Sequence, residues 1–161
     1  MKIYKNFLNK KDFKNIKDFL SDRYFYWFYE NVTNFGDGLK YGQFCFSFIL
    51  GGGRMNTTRE YISKFEPLFK KIKHKSITRL KANCSPRDSK IIEHSMHIDQ
   101  YEGTTGILYI NTNNGYTKFE NGKKVKSVEN TYVEFDSTLK HTGTTCTDTD
   151  RRLVLNINYI T

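Results

Sequence analysis

The chain is poor in the residues that staple or stiffen small proteins. It has three cysteines among 161 residues, Cys45, Cys84 and Cys146, with wide spacings and no Cys-x-x-Cys pair. An odd, scattered set argues against a disulfide framework or a thiolate zinc site, and predicts buried, reduced thiols. Only two prolines occur, and no low-complexity run or repeat is visible. No apolar run approaches the length needed to cross a bilayer; Phe44 to Leu50 is the most apolar stretch and is strand-sized. Met1 to Leu8 shows no charged region followed by an apolar segment, so no secretory signal, no membrane association and a cytoplasmic setting are expected.

What is present is globular. Aromatics make up 16% and charged residues 27% of the sequence, enough for a packed core in one domain spanning 1–161. The formal net charge is +9, much of it in Lys10, Lys11, Lys14, Lys17 and in Lys70, Lys71, Lys73, Lys75. Solvated helix faces account for these lysines most simply, while the basic balance leaves an anionic partner such as nucleic acid open.

Along the chain, Asn9 and Asp12 mark a helix start, and Phe13, Ile16, Phe19 and Leu20 recur at helical spacing, predicting a helix over about 10–21. Aromatic, strand-like runs follow at Tyr24 to Tyr29 and Gln43 to Leu50. Thr57 and Glu60 read as a capping box, and Pro67 predicts a kink or two short helices. From residue 77 the period changes to two, with strands expected at 77–84, 93–98, 104–111, 116–119, 123–128, 130–135, 139–143 and 151–160. Helices and first strands over 1–76, then many short strands over 77–161, predict a mostly β fold with α: a double-stranded β-helix (jelly roll) core with N-terminal supporting helices.

The chemistry concentrates in three places. In an extended chain His97 and Asp99, two residues apart, point to one face and offer an imidazole beside a carboxylate. His141 lies in a later strand segment. Two histidines and a carboxylate can cap one face of an octahedral Fe(II) and leave three positions open. A closed zinc site would need a fourth ligand; His94 is three residues from His97 and would face away from it on a strand, so it and His74 read as surface or supporting residues. The closing strand alternates Leu153, Leu155, Ile157 and Tyr159 against Arg152, Val154, Asn156 and Asn158. If the polar face lines a barrel interior, Arg152 can clamp a carboxylate with paired hydrogen bonds. A one-residue slip would exchange Arg152 for Arg151.

His97-Ile98-Asp99, then His141, then Arg152 resembles the pattern of 2-oxoglutarate- and Fe(II)-dependent dioxygenases, over residues 77 to 160. Thr105-Gly106-Ile107-Leu108-Tyr109-Ile110-Asn111 and Gly115-Tyr116-Thr117-Lys118-Phe119 are similar to strands of the prolyl-4-hydroxylase-like branch, including its small phage and bacterial members. The resemblance implies iron on His97, Asp99 and His141. It implies 2-oxoglutarate held by Arg152 and Tyr109, with Ile107 packed against it and Asn83 and Asn156 as polar contacts. Where the branch often carries Tyr-Pro, this chain has Ser85-Pro86. It further implies O2 as co-reactant, supporting ascorbate, and hydroxylation of a peptide or protein side chain, foremost a prolyl residue. Candidate substrate contacts are Arg54, Trp27 and Asn158, with Gly36 to Arg54 as a loop over the site. The rival readings are a dioxygenase acting on nucleic acid or a free small molecule, and a non-catalytic jelly-roll binding module. A monomer or weak homodimer is expected.

Overall fold

The computed structural model describes residues 1–31 and 42–161. The strands are β1 (Lys2–Tyr4), β2 (Phe28–Glu30), β3 (Gln43–Leu50), β4 (Arg54–Met55), β5 (Ser76–Pro86), β6 (Thr104–Tyr109), β7 (Tyr116–Phe119), β8 (Lys124–Lys126), β9 (Tyr132–Asp136), β10 (His141–Thr142) and β11 (Arg151–Ile160). The helices are α1 (Lys10–Ser21), α2 (Arg59–Ser63) and α3 (Glu66–Lys71). No helix among the described residues is long and apolar enough to cross a membrane.

The strands form two antiparallel sheets of unequal size. The larger runs β1-β9-β6-β11-β5-β3-β2, with β4 paired to β3; the smaller runs β10-β7-β8. β11 is central, pairing with β5 on one side and β6 on the other. Its alternation sorts two interiors. Leu153, Leu155, Ile157 and Tyr159 join Phe13, Ile16 and Leu20 of α1, Leu68 of α3, and Phe48, Leu80 and Leu108 of the sheet in one buried cluster. Val154, on the other face, joins Ile107, Tyr109, Phe119, Val125, Val133 and Phe135 between the sheets. Helices therefore cover one face of the large sheet and the small sheet covers part of the other. The fold is mostly β, in the two-sheet arrangement expected of a double-stranded β-helix with N-terminal helices.

Local sequence explains most elements. Asn9 caps α1 by accepting from the Asp12 amide at 2.9 Å. Phe19, on the same helix, sits edge-on against Phe25 and Tyr61. Pro67 lies in the first turn of α3, where its missing N–H costs nothing, and separates α3 from α2. Gly106 lets β6 approach β9: a Cβ there would meet the Tyr132 hydroxyl at 2.0 Å.

Four expectations need correction. The cap of α2 is Thr58, not Thr57; the capping pair is shifted by one residue. Of the aromatic run Tyr24 to Tyr29 only Phe28–Glu30 pairs, as the edge strand against β3. Residues 93–98 form no regular strand; their β-pairing is reduced to two isolated bridges, Glu93 to Thr144 and His97 to His141. The loop envisaged over Gly36 to Arg54 is mostly β3 and β4, and its part at 36–41 lies outside the described residues.

Candidate metal centre and cosubstrate pocket

His97, Asp99 and His141 converge between the two sheets. One donor atom from each lies within 4.8 Å of the others. The convergence is built by backbone: the His97 N–H donates to the His141 carbonyl at 3.0 Å, and the His141 N–H returns a bond of 2.9 Å. The Asp99 N–H donates to the Ser137 carbonyl. These bonds do the work expected of a regular strand, so the two donors meet although 93–98 is irregular.

The side chains are oriented for a metal. His141 Nδ1 lies 3.0 Å from the Leu139 carbonyl and His97 Nδ1 3.4 Å from the Ser95 carbonyl. A proton on each Nδ1 satisfies those contacts and leaves both Nε2 lone pairs facing Asp99, at 3.7 Å from His97 to Oδ1 and 3.9 Å from His141 to Oδ2. His141 is buried and its Nε2 has no hydrogen-bond partner. An orphaned, buried imidazole nitrogen beside a carboxylate and a second imidazole fits a divalent cation. Burial, then the neighbouring His141, lowers the pKa of His97 and keeps it neutral, as a ligand must be. Burial by itself would raise Asp99, but His141, Arg79, the Asn158 hydrogen bond and His97 outweigh it, and the carboxyl lies below its ordinary value.

Asp99 is held from behind. Its Oδ2 accepts from Thr105 Oγ1 at 3.0 Å and from Asn158 Nδ2 at 3.1 Å. Asn158 also donates to Thr105, and Thr105 shares a hydrogen bond with Ser137. Among the described residues, Oδ1 meets Arg79, at 3.5 Å, and His97.

Across the same cavity, of about 780 Å³, lies Arg152. The register of β11 turns Arg152 inward, 4% exposed, while Arg151 shares the face of Leu153 and is only partly buried. Its Nε donates to Ser127 Oγ at 2.8 Å and its Nη2 to Thr117 Oγ1 at 3.2 Å. Among the described residues it forms no ion pair with a carboxylate. Burial lowers its pKa, yet a guanidinium stays charged, and an unpaired buried charge costs several kcal/mol unless a ligand anion meets it.

The remaining expected residues divide. Ile107, Asn83 and Asn156 line the cavity together with the metal triad and Arg152. Tyr109 lies beneath it: its fully buried hydroxyl donates to Thr117 Oγ1 at 2.8 Å, and its ring lies 5.7 Å from the Arg152 guanidinium carbon. The group that faces the cavity there is Thr117. Asn158, expected at the substrate, is instead fully buried behind Asp99. Arg54 is exposed on β4, and Trp27 packs on Phe25 with ring centroids 4.8 Å apart; neither lines the cavity. Trp27 follows its apolar neighbours into the helix-side core, and the short hairpin of β4 carries Arg54 away. Of the two places expected for His94, surface or support, the buried one holds: it lines the cavity. Sequence reasoning passed over Arg79 and Lys81, which reach the cavity from β5. The signal was available: Arg79, Lys81, Asn83 and Ser85 alternate with Leu80, Ala82 and Cys84.

No protein-family model matches this sequence, and no curated protein does. Solved structures match the fold. A prolyl hydroxylase from Trichoplax adhaerens, in complex with a hypoxia inducible factor oxygen degradation domain peptide fragment, aligns with TM-score 0.66 at 15% identity, covering 99% of this chain and 82% of that one. A Pseudomonas putida prolyl-4-hydroxylase aligns with TM-score 0.63 at 13% identity over 99% and 91%. A 2OG-Fe(II) oxygenase family oxidoreductase from Burkholderia pseudomallei aligns with TM-score 0.61 at 12% identity over 84% and 72%. With its triad and buried arginine on that scaffold, this chain has the fold of the 2OG-Fe(II) oxygenases and prolyl hydroxylases.

Proposed function

We propose that the protein is an Fe(II)- and 2-oxoglutarate-dependent dioxygenase that hydroxylates an unactivated C–H bond, with a prolyl residue of a peptide or protein as the leading substrate. The observation that carries this reading is one cavity that joins two different charge-binding groups: three convergent metal donors at one end and, at the other, a buried arginine with no carboxylate partner among the described residues. A cation alone would satisfy the first. Only a ligand with an anionic far end satisfies both.

With iron and 2-oxoglutarate bound, the group supplies oxidative decarboxylation by O2, giving succinate and CO2 and inserting one oxygen atom into substrate. The chain's part is positioning. His97, Asp99 and His141 would hold the ion. Arg152, steadied by Ser127 and Thr117, receives the far carboxylate. Ile107 and Val154 give the stretch between them an apolar wall that keeps water from the cosubstrate chain. Asn83 and Asn156 supply polar contacts, and ascorbate would keep the iron ferrous between turnovers.

The prolyl reading draws its support from two prolyl hydroxylases of the same fold, one carrying a peptide. The experiment is succinate release from iron-reconstituted protein, against a proline-containing peptide panel with mass detection of a 16 Da gain in the peptide. Free proline and oligonucleotides serve as alternatives. A peptide-dependent rate with the mass gain supports the reading; no 2-oxoglutarate turnover under any condition contradicts it.

A further inference from the structure

Arg79 and Lys81 are two residues apart on β5 and therefore share a face, turned into the cavity. Opposite them on β11 stand Asn158 and Asn156, whereas Arg152 stands opposite Ser85. Lys81 and Ser85 are four residues apart, about 13 Å along a strand at about 3.3 Å per residue. These cations thus serve a region separate from the Arg152 end. Glu30 reaches it through its ion pair with Lys81, and Met96 lines the same cavity.

Each has one acidic partner among the described residues. Lys81 Nζ pairs with Glu30 Oε2 at 2.8 Å; the lysine side chain is 11% exposed and the glutamate 41%. Among the described residues Arg79 reaches Asp99 Oδ1, at 3.5 Å, with 29% of its side chain exposed. Asn156 Oδ1, beside Lys81, is buried without a partner. In the loaded site proposed above, Asp99 answers the metal. The dication, Asp99, a 2-oxoglutarate dianion and Arg152 cancel, and Lys81 cancels Glu30. Arg79 is then left as one uncompensated positive charge in the cavity beside Asp99, counted over the described residues.

We propose that Arg79 and Lys81 form a receptor for one carboxylate of the substrate, next to the carbon that is oxidised. The inference rests on the dioxygenase reading and narrows it. The carboxylate belongs to an acidic residue beside the target in a peptide, or to a free acid. The positive floor selects acids over their amides, and Glu30, drawn off Lys81, is free to accept a substrate N–H.

The test compares matched pairs on the iron- and 2-oxoglutarate-loaded full chain. Acetyl-Gly-Pro-Asp-Gly-amide is set against its Asn counterpart, and N-acetylproline against N-acetylprolinamide, by substrate-stimulated succinate release. Calorimetric binding of the same compounds to zinc- and 2-oxoglutarate-loaded protein gives a readout independent of turnover. The acid of a pair should exceed its amide about tenfold or more, the worth of one charged hydrogen bond; which pair responds identifies the source. Arg79→Gln and Lys81→Gln should shrink the acid-to-amide ratio, and Lys81→Arg should keep it. Each ratio is internal to one variant, so altered loading does not mimic the effect. Equal response to acid and amide, ratios unmoved by both Gln variants, or no response to any compound while unstimulated succinate release persists would overturn the receptor and leave the dioxygenase reading standing. Absence of all 2-oxoglutarate turnover and binding would overturn both.

Discussion

The Arg152 side chain runs through the space that any side chain at Gly115 would fill: a Cβ at position 115 would lie 2.7 Å from Arg152 Cδ, and also 2.7 Å from the Thr145 carbonyl oxygen. The glycine that opens β7 therefore makes room for the arginine that closes the cavity. Because the Thr145 backbone cannot yield, Gly115→Ala should push the guanidinium off Ser127 and Thr117. The expected outcome is a 2-oxoglutarate dissociation constant raised about tenfold, near the low end of a charged hydrogen-bond contact, with the metal site intact. Titration of 2-oxoglutarate into zinc-loaded variant and parent checks it.

Removing the arginine should do more. Arg152→Ala should weaken 2-oxoglutarate binding by about 1.5–3 kcal/mol, ten- to a hundredfold. Arg151→Ala, on the opposite face of β11, should leave it within about twofold. The reverse result would mean that β11 sits one residue out of register.

Asn158 was expected to meet substrate, and its geometry assigns it a different duty: it donates to Asp99 from behind. Asn158→Ala should lower metal affinity about ten- to a hundredfold, as the loss of an outer hydrogen-bond partner does elsewhere, measured by competition with a chelator. A change in substrate KM with metal affinity unmoved would restore the substrate role.

Glu93 ties the segment that carries His97 and Asp99 to the small sheet. It accepts from Tyr116 Oη at 2.6 Å, Lys118 Nζ at 2.6 Å and Lys124 Nζ at 3.1 Å. The Lys118 bond, then the Tyr116 bond, holds its pKa down at about 2 from an ordinary 4.5. A carboxyl whose folded pKa is depressed stabilises the fold above its unfolded pKa, and that contribution drains away as pH falls through the folded value. Thermal stability of metal-free protein should thus decline between pH 4.5 and about 2, and Glu93→Gln should flatten that part of the profile. Salt should shrink the difference, because the cluster is largely exposed.

Much of this was legible in the sequence where a side-chain period met a buried interior. The alternation of β11 separated its helix-facing leucines from Arg152, and Asn9 announced α1. Legibility failed where long-range contacts decide. Residues 93–98 look like a strand, but Thr142 Oγ1 donating to the His94 carbonyl and Thr145 Oγ1 accepting from the Ile92 N–H take the place of a ladder. Tyr109 was expected on the far carboxylate of 2-oxoglutarate, but its hydroxyl donates to Thr117, a partner eight residues away across a turn. Trp27 and Arg54 were chosen by residue type alone, with no period to place them. Arg79 and Lys81 escaped because their partners, Asp99 and Glu30, are 20 and 51 residues distant.

The central claim is that His97, Asp99 and His141 bind one metal ion together. Anaerobic Fe(II) or Co(II) titration, followed by the ligand-field spectrum of the cobalt form, measures it without reference to any substrate. One ion per chain in the parent protein, with binding lost in both Asp99→Ala and His141→Ala while their folds persist by circular dichroism, is the predicted result. A parent chain that takes up no metal, or variants that bind it as tightly as the parent, would contradict the account.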